Sequence, residues 1–327
     1  VQPPWYIMVG DQNEASTRDF FAEHHHFGID PGRIHFFKQD MMPCVDEQGH
    51  FLLEEKGKLT TNPNGHGGVI PAFVRSGLLD DAKSRGVDTI HYFQVDNYAI
   101  RLGDPYFIGL HVQNDAEFSA KVARKQDPRE SAGNFCVCDG QTRVIEYTEV
   151  DLYPQLLETD ADGKPVHFAA NTAIHVLSTQ FIERVHDAFD EFPWHCSHKK
   201  IPFIGNDGAL VKPDKPNGYK FETFIFDSLA YCERKPVLLE IPRIGEFAPI
   251  KQKEGAGSVI ESRANLREYW GSWLQAAGYD VPKNVDIEIN PLFANSEEEF
   301  IERATGKNWS FTGPISFGPN GELDWRG

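Results

Sequence analysis

Short apolar runs alternate with amphipathic segments along most of the chain. Runs of mainly apolar residues predict buried strands at residues 5–9, 33–37, 89–95, 171–177 and 237–241. Between them, apolar side chains recur at helical spacing, which predicts helices at residues 16–24, 67–85 with a break near Gly77, 105–113, 179–189 and 222–232. Strands and helices alternating at this spacing indicate βαβ units. We therefore predict an α/β fold with a doubly wound, mainly parallel mixed sheet.

Two segments depart from this alternation. Two β-rich runs flank the dipeptide Asp139-Gly140, which predicts a hairpin over residues 134–149. After residue 250 the chain turns polar and Gly-rich, which is typical of a boundary. We accordingly divide the chain into a large domain, 1–250, and a small C-terminal α+β appendage, 251–327. The elements predicted in this appendage are a helix, a strand and a second helix, at residues 262–277, 285–289 and 296–305.

The chain is strongly acidic, with 32 Lys and Arg residues against 49 Asp and Glu among its 327 residues, a net charge of −17. A surface of this charge repels phosphate backbones, so we expect no nucleic-acid binding. A small phosphorylated ligand would need local lysines or a divalent cation. No apolar run is long enough to cross a bilayer, and we expect no membrane association and no secretory signal at the start. Five cysteines without CxxC spacing indicate reduced thiols and a cytoplasmic location.

Several polar residues lie where an open α/β sheet places its ligands, beyond the carboxyl ends of the strands. Gln39 and the pair Asp96-Asn97 follow predicted strands, Asn171 opens another, and Glu146 lies in the hairpin. A carboxylate at a strand end suits Mg²⁺, which needs one or two carboxylates beside phosphate oxygens and water. Asp96 is therefore the candidate magnesium ligand, although a carboxylate at such a position more often caps a loop.

The segment 62–68 is the most informative local motif. Gly65, Gly67 and Gly68 surround His66 just before a predicted helix. Glycines let a backbone approach a flat or charged ligand closely, and a helix N-terminus favours negative charge. The alternative is a Gly-rich turn that carries a surface histidine.

Three other clusters resemble metal or nucleotide motifs, and we interpret each of them structurally. The histidines at 24–26 end a predicted helix, where cationic side chains suit the helix dipole. His195 and His198 do not match a zinc spacing and are interpreted as part of a loop or helix end. Asp160-Ala161-Asp162 lies in a polar turn away from any strand end, so we predict a hairpin tip.

Eight segments recur in the same order in a known family. They contain, in chain order, PWYIM from residue 4, FFKQ from 36, PNGHGG from 63, VDN from 95, DPYFIG from 104, VIEYTE from 144, KPDKPNG from 212 and FAPIK from 247. On these segments the chain resembles the eukaryotic-type UDP-N-acetylhexosamine pyrophosphorylases, within the wider UDP-sugar pyrophosphorylase family. The resemblance runs from residue 4 to about residue 295.

The resemblance implies a uridylyltransferase that joins UTP to a sugar 1-phosphate and releases a UDP-sugar and pyrophosphate, with Mg²⁺. An oxygen of the sugar phosphate attacks the α-phosphorus of UTP, so catalysis is mostly alignment and charge neutralisation. The implied sites are Gln39 and Gly65 at the uracil, Asp96 at Mg²⁺, Lys220 and Lys251 at the phosphates, Gly133, Glu146 and Asn171 at the sugar, and Phe224 and Phe226 as pocket walls. His66 and Asn97, within two of the matching segments, complete the substrate-binding set. We expect Asp96, Lys220, Lys251 and His66 to converge on one cleft.

Two departures from the family pattern qualify this expectation. The family's Gly-rich loop with a Thr-Arg pair would precede Trp5 and has no counterpart here, so we expect these residues alone to be inactive or nearly so. His66 stands where N-acetylhexosamine enzymes usually have Asn, and a Gly-His-Gly arrangement resembles UDP-glucose and broad UDP-sugar relatives. Phe224 and Phe226 favour N-acetylglucosamine 1-phosphate. The alternatives are a glucose-1-phosphate or broad-specificity enzyme, a non-catalytic UDP-sugar-binding fragment, and a glycosyltransferase, which would need an Asp-x-Asp after a strand.

Overall fold

Several of the helices begin at short polar side chains that cap them. The computed structural model describes residues 2–255, 257–283 and 285–323. Asp104, Ser178, Ser258 and Ser296 each accept a hydrogen bond from a backbone N–H of the first helical turn, which satisfies a donor that the helix itself leaves free. The helices are α1 (Glu14–Glu23), α2 (Val69–Arg75), α3 (Leu78–Ser84), α4 (Pro105–Gln113), α5 (Thr179–Asp187), α6 (Val259–Ala276) and α7 (Glu297–Ala304).

The strands are mostly short, and several belong to small two-stranded ladders at the surface. In chain order they are β1 (Trp5–Val9), β2 (Ile34–Lys38), β3 (Met41–Pro43), β4 (Val45–Asp46), β5 (Leu53–Glu55), β6 (Lys58–Leu59), β7 (Thr61–Pro63), β8 (Thr89–Tyr92), β9 (Phe118–Arg124), β10 (Asn134–Cys138), β11 (Gln141–Ile145), β12 (Ala169–Ser178), β13 (His195–Lys199), β14 (Phe203–Ile204), β15 (Leu210–Val211), β16 (Gly218–Glu222), β17 (Val237–Ile241), β18 (Ile287–Ile289) and β19 (Ile315–Phe317).

A six-stranded mixed sheet forms the centre of the molecule. Its order is β11–β10–β12–β9–β17, and β8 pairs with the far end of the long strand β12. β17 runs parallel to β9, whereas β12 is antiparallel to β8, β9 and β10. The α/β class is confirmed, but the prediction of a mainly parallel sheet is wrong. Sequence alternation shows that strands and helices follow each other and does not show which strands become neighbours.

One interior strand of this sheet, β9 between β12 and β17, was not predicted. In β9, residues Phe118 to Ala123 are buried in succession, and Lys121 among them is 1% exposed. Ser119 and Lys121 interrupt the apolar pattern, so the segment does not resemble a core strand. Lys121 is tolerated there because its ammonium group pairs with Asp104 at 2.6 Å and with Glu246.

The N-terminal residues form the βαβ unit that the sequence predicts. β1 and β2 are parallel neighbours joined through α1. Their apolar side chains pack with α2, α3, α5 and the central sheet in the main hydrophobic core, which includes Phe37, Ile70, Phe118, Leu177, Phe181 and Phe226. The predicted break near Gly77 is also confirmed, because Gly77 has a φ of 76° between α2 and α3.

The predicted hairpin and hairpin tip are both confirmed. β10 and β11 are antiparallel around Asp139 and Gly140, whose φ angles of 52° and 80° suit a tight hairpin turn. The loop around Asp160 closes through a hydrogen bond from Asp160 N to Lys164 O at 2.8 Å.

The structure differs from the sequence prediction for residues 195–199 and for residues 222–232. Residues 195–199, interpreted as a loop or helix end, form the edge strand β13, which pairs with β16 in a three-stranded sheet completed by β4. The α-helix predicted over residues 222–232 does not form. Glu222 is the last residue of β16, and a 3₁₀ segment, Ile225–Tyr231, follows it.

A second hydrophobic core lies in the C-terminal part of the chain. α6, β18, α7 and β19 enclose it, and β18 and β19 are parallel neighbours on either side of α7. Its buried side chains are Trp273, Leu274, Ile287, Ile289, Phe293, Ala294, Phe300, Ala304, Phe311, Ile315 and Phe317. Within the described residues, no helix is long and apolar enough to span a membrane.

Candidate active site

One end of the candidate site is built on Gln39 and Gly65. Gln39 follows β2 and donates a hydrogen bond from Nε2 to the carbonyl of Gly65 at 2.7 Å. Gly65 has a φ of 84°, and a Cβ there would lie 2.3 Å from the carbonyl oxygen of Thr223, so only glycine fits. A cavity of about 160 Å³ opens beside Gln39. The two residues assigned to the uracil are therefore brought together.

The other glycines of this loop serve packing within the protein. Gly67 N donates to Thr223 O at 2.8 Å, and Thr223 N donates to Asn64 O at 2.8 Å. A Cβ at Gly67 would lie 2.8 Å from Phe224 N, and one at Gly68 would collide with the amide of Asn64. The expected close approach is thus made to the chain's own backbone, and the loop is locked against the end of β16.

His66 projects from this locked loop into an aromatic cluster. Its Nδ1 accepts a hydrogen bond from Ile225 N at 3.1 Å, which leaves the proton on Nε2. The ring stacks on Phe224 with centroids 5.0 Å apart. Burial, followed by the positive charges of His195 and Lys251, lowers the pKa of His66 to about 4. At neutral pH His66 is therefore a neutral hydrogen-bond donor.

The two phenylalanines assigned to the pocket wall occupy different depths. Phe226 is 2% exposed and belongs to the main core, whereas Phe224 is only partly buried. Their rings are 5.2 Å apart. Phe224 can therefore face a ligand, and Phe226 supports it from behind.

The residues assigned to the sugar are adjacent. Asn171 N donates to Gly133 O at 2.8 Å, and a Cβ on Gly133 would lie 3.0 Å from Glu146 Oε1 and 2.7 Å from a methyl carbon of Val144. Asn171 begins a bulge in β12, where Ala173 has a φ of 57° and donates its N–H to Asn171 Oδ1. Bulges commonly re-aim side chains beside active sites.

Glu146 is a carboxylate in an unfavourable environment. Burial and the charge of Glu149 raise its pKa, and the positive charges of His195 and Lys251 oppose this effect. A carboxylate with a raised pKa in a cleft is a typical functional group.

Asp96 and Lys251 meet in the same cleft. Lys251 Nζ lies 3.9 Å from Asp96 Oδ2, and Ile250 N donates to Asp96 O at 2.8 Å. The Asp96 side chain is 30% exposed, so its carboxylate can accept further ligands. Among the described residues no group of three or more His, Cys, Asp or Glu could hold a metal ion. A single exposed carboxylate suits Mg²⁺ that takes its remaining ligands from phosphates and water.

Asn97, predicted to bind substrate, has its side chain engaged inside the protein. It is 5% exposed, donates from Nδ2 to Glu246 O at 3.0 Å and accepts from Ala248 N at 3.0 Å. It thereby joins the loop of Asp96 to the segment that leads to Lys251.

Lys220 is placed less centrally than Lys251. It lies on β16 two residues before Glu222, whose Cβ approaches Gly65, and its charge acts on the buried thiol of Cys44. No contact found among the described residues joins Lys220 to Asp96. Asp96 and Lys251 are thus brought together, Lys251 acts electrostatically on His66, and Lys220 lies on the strand beside Gly65, so the convergence of all four on one cleft stays a prediction.

His195 and Asp227 are the residues that sequence reasoning missed. His195 Nε2 lies 2.8 Å from Asp227 Oδ2, and the ring packs on Phe224 with centroids 4.2 Å apart. Burial disfavours its charge, but Asp227, Glu149 and Glu146 together raise the pKa of His195. The sequence singled out His195 only as half of a His195/His198 pair without zinc spacing, and Asp227 was inconspicuous.

The remaining histidine cluster lies elsewhere. His24 stacks on Phe27 at 5.3 Å, and His25, His26 and Phe27 all have φ angles between 51° and 53°. The structure therefore places these histidines in a left-handed turn after α1.

Known proteins are similar to this chain in both sequence and fold. The family model described as UTP--glucose-1-phosphate uridylyltransferase matches residues 1–272. The chain is 34% identical over 318 residues to UDP-N-acetylhexosamine pyrophosphorylase-like protein 1 of Homo sapiens, covering 90% of this chain and 62% of that protein. It is 33% identical over 322 residues to UDP-N-acetylglucosamine pyrophosphorylase of Saccharomyces cerevisiae, covering 96% and 67%. The chain thus spans less than two thirds of the human relative.

Solved structures of other proteins are similar to this chain in fold. The uridine diphosphate N-acetylglucosamine pyrophosphorylase of Trypanosoma brucei superposes with a TM-score of 0.79 at 26% identity, covering 92% of this chain and 65% of that one. The UDP-glucose phosphorylase of Trypanosoma brucei has a TM-score of 0.59 at 16% identity, covering 88% and 62%, which shows a shared fold.

Proposed function

Because the chain belongs to the UTP–glucose-1-phosphate uridylyltransferase family, we propose that it forms the uridine-binding and sugar-binding part of a nucleotide-sugar pyrophosphorylase. The substrates are UTP and a sugar 1-phosphate, and the products are a UDP-sugar and pyrophosphate. A cytoplasmic location accompanies this proposal, since all five cysteines are unpaired, which suits a reducing compartment.

One observation carries the proposal. Lys251 is the shared neighbour of the residues assigned to metal, sugar and pocket: it lies 3.9 Å from Asp96, and its charge acts on both His66 and Glu146. A cation in that position, on a chain with a net charge of −17, is suited to hold a phosphate between a uridine site and a sugar site.

The reaction needs no covalent enzyme intermediate. An oxygen of the sugar 1-phosphate attacks the α-phosphorus of UTP, a P–O bond forms there, and the bond to the β-phosphate breaks with departure of pyrophosphate. The protein aligns these groups and neutralises their charge. Lys251 offsets phosphate charge, and Lys220 is proposed to assist it from β16. Asp96 would hold a magnesium ion, which supplies further charge neutralisation at the phosphates.

Each end of the nucleotide sugar has its own group of residues. We assign the uracil to Gln39 and Gly65, whose hydrogen bond sets the geometry of that end. Sugar hydroxyl groups and an acyl group are assigned to Glu146, Asn171 and the backbone at Gly133. His66 presents its Nε2–H between the two ends, and Phe224 offers an apolar face.

N-acetylglucosamine 1-phosphate is the sugar we propose first. Relatives at 32–37% identity carry names of N-acetylglucosamine or N-acetylhexosamine enzymes, and Phe224 offers a partly exposed aromatic face for an acetyl methyl group. His66 in the Gly-His-Gly arrangement favours the second candidate, a glucose 1-phosphate or broad-specificity enzyme. The two candidate functions differ only in the sugar that the pocket accepts.

Binding calorimetry with UDP-N-acetylglucosamine, UDP-glucose and ADP-glucose tests the proposal without requiring turnover. We expect both uridine nucleotides to bind in the presence of Mg²⁺, the N-acetylglucosamine form more tightly, and ADP-glucose at least tenfold more weakly. Release of pyrophosphate from UTP with each sugar 1-phosphate is measured in parallel and separates an enzyme from a binding module. Failure to bind any UDP-sugar, or equal binding of ADP-glucose, would overturn the proposal.

A further inference from the structure

A continuous set of contacts runs from Asp227 to His66. Asp227 holds His195 Nε2 at 2.8 Å, the His195 ring packs on Phe224 at 4.2 Å, and Phe224 stacks on His66 at 5.0 Å. His195 opens the edge strand β13, and Asp227 lies in the 3₁₀ segment Ile225–Tyr231. The position of the pocket's aromatic face therefore depends on a histidine that the proposed chemistry does not use.

The same histidine and the carboxylates of the sugar end influence each other electrostatically. The segment Ile225–Tyr231 packs against β11, and Glu146 follows directly after β11. Asp227, Glu149 and Glu146 all act on His195. The charged groups acting on Glu146 from the surrounding elements are Glu149, Asp227, His195, Lys251 and Lys125.

We propose that His195, clamped by Asp227, is a positioning residue of the sugar pocket: it holds Phe224 and His66 in place. When protonated, His195 also favours the ionised form of Glu146, the proposed acceptor of sugar hydroxyl groups. The proposal rests on the proposed function, because it assigns the sugar to Glu146. His195 itself touches no substrate in this assignment.

The positive charge of His195 favours the ionised form of Glu146. Burial and Glu149 raise the pKa of Glu146, and His195 acts in the opposite direction. Removing the His195 charge therefore raises the pKa of Glu146 further. Sugar binding that needs the carboxylate would then fail at a higher pH, because the group protonates earlier as the pH falls. The uracil end, which contains Gln39 and Gly65, is unaffected.

The test compares His195→Gln with His198→Gln. His198 lies on the same strand and also pairs with a carboxylate, Glu47 at 3.0 Å, but it stacks on Tyr219 at the surface. Affinities for UDP and for UDP-N-acetylglucosamine are measured by calorimetry from pH 5.5 to 8, so that the ratio isolates the sugar. We expect His195→Gln to lower this ratio about tenfold at the acid end and less at pH 8, and His198→Gln to leave it unchanged.

A second measurement does not depend on any ligand. The carboxyl carbon of Glu146 is followed by ¹³C NMR as a function of pH, with Glu146→Gln identifying the signal. We expect its titration midpoint to move upward in His195→Gln. His195→Asn, which removes the same charge, serves if His195→Gln does not fold.

The outcomes separate the two proposals. If the wild-type chain binds neither nucleotide, the proposed function fails, and the NMR titration still decides whether His195 controls Glu146. If both nucleotides bind and His195→Gln weakens them equally at every pH, only the role of His195 fails. An unmoved Glu146 midpoint in the folded His195 variant has the same consequence.

Discussion

At the residue scale, the candidate site depends on side chains whose properties come from their neighbours. His66 is neutral because it is enclosed and lies near two cations. The pKa of Glu146 is raised because this residue is buried beside Glu149. Lys251 is exposed and unremarkable in sequence, yet it lies beside Asp96 and acts on both other groups. Charge placement, rather than residue type, therefore distinguishes these residues from others of their kind.

Lys251→Ala tests the phosphate site. A charge-assisted hydrogen bond to phosphate contributes about 1.5–3 kcal/mol, so we expect UDP-N-acetylglucosamine affinity to fall ~10- to 100-fold with little change in thermal stability. Calorimetry and a melting curve measure the two quantities. Lys253→Ala, two residues along the same exposed segment, is the control and should bind normally. Equal affinities for the two variants would contradict the assignment.

Gly133→Ala tests the sugar end. A Cβ there would lie 2.7 Å from Val144 Cγ1 and 3.0 Å from Glu146 Oε1, so it must displace the carboxylate. We expect the affinity for UDP-N-acetylglucosamine to fall at least tenfold while that for UDP is retained. Gly109→Ala, at an exposed helical position with nothing within 4 Å of the new Cβ, is the matched control. Retained sugar affinity in Gly133→Ala would place the sugar elsewhere.

At the element scale, the cleft depends on how loops are tied to the central sheet. Lys121 on β9 pairs with Asp104, which caps α4, and with Glu246, which precedes Lys251 along the chain. Asn97 joins the same segment to the loop of Asp96. This buried polar network explains why Asp96 and Lys251 meet, although 155 positions separate them in the sequence.

Asn97→Ala tests this network. The change leaves Ala248 N and Glu246 O without their buried partner, each at about 1–3 kcal/mol. We expect the free energy of unfolding to fall by roughly 2–4 kcal/mol and UDP-sugar affinity to fall with it, as denaturant unfolding and calorimetry measure. In the control Asn114→Ala, only an exposed bond to Leu110 O is lost, so a change below ~0.5 kcal/mol is expected. Comparable stability losses would exclude a special role for Asn97.

At the scale of the whole molecule, two hydrophobic cores and an acidic surface define the protein. The main core lies against the central sheet, and the second core lies beyond residue 259, which supports the proposed division into 1–250 and 251–327. Lys251 opens the segment between them, yet its backbone bonds to Gly257 and its neighbour Ile250 bonds to Asp96. The proposed boundary therefore passes through the candidate site.

The main core also makes stability depend on pH. His175 is fully buried between Tyr92 and Phe118, and burial lowers its pKa from 6.5 to about 3. Between these values the unfolded chain binds the proton and the folded chain does not, so stability falls as the pH falls from 6.5 toward 3.

His175→Leu should weaken this dependence. The loss attributable to one histidine is about 1.4 kcal/mol per pH unit within the window, so the stability difference between wild type and variant should shrink on acidification. Urea unfolding at pH 7, 6 and 5 measures it. Val176→Ala changes a buried, non-titrating neighbour on the same strand and should run parallel to wild type. A wild-type pH slope in His175→Leu would refute a neutral buried imidazole.

Features that depend on residues close together in the sequence were predicted, and features that depend on contacts between distant residues were missed. β1, α4 and the hairpin around Asp139-Gly140 were predicted because periodicity and turn residues are local properties. β9 was missed because Lys121 is tolerated only through partners far along the chain. β13 was missed because an edge strand carrying His195 and His198 has no apolar alternation.

The sequence by itself determined the family and the α/β class, since ordered motifs and periodicity record these directly, and it predicted the residues of the candidate site. Tertiary structure alone decided which strands are neighbours, that Asn97 ties loops together, and that His195 packs on Phe224. These features arise from contacts between distant residues, because burial and neighbouring charge set a side chain's properties and neither can be read from residue order.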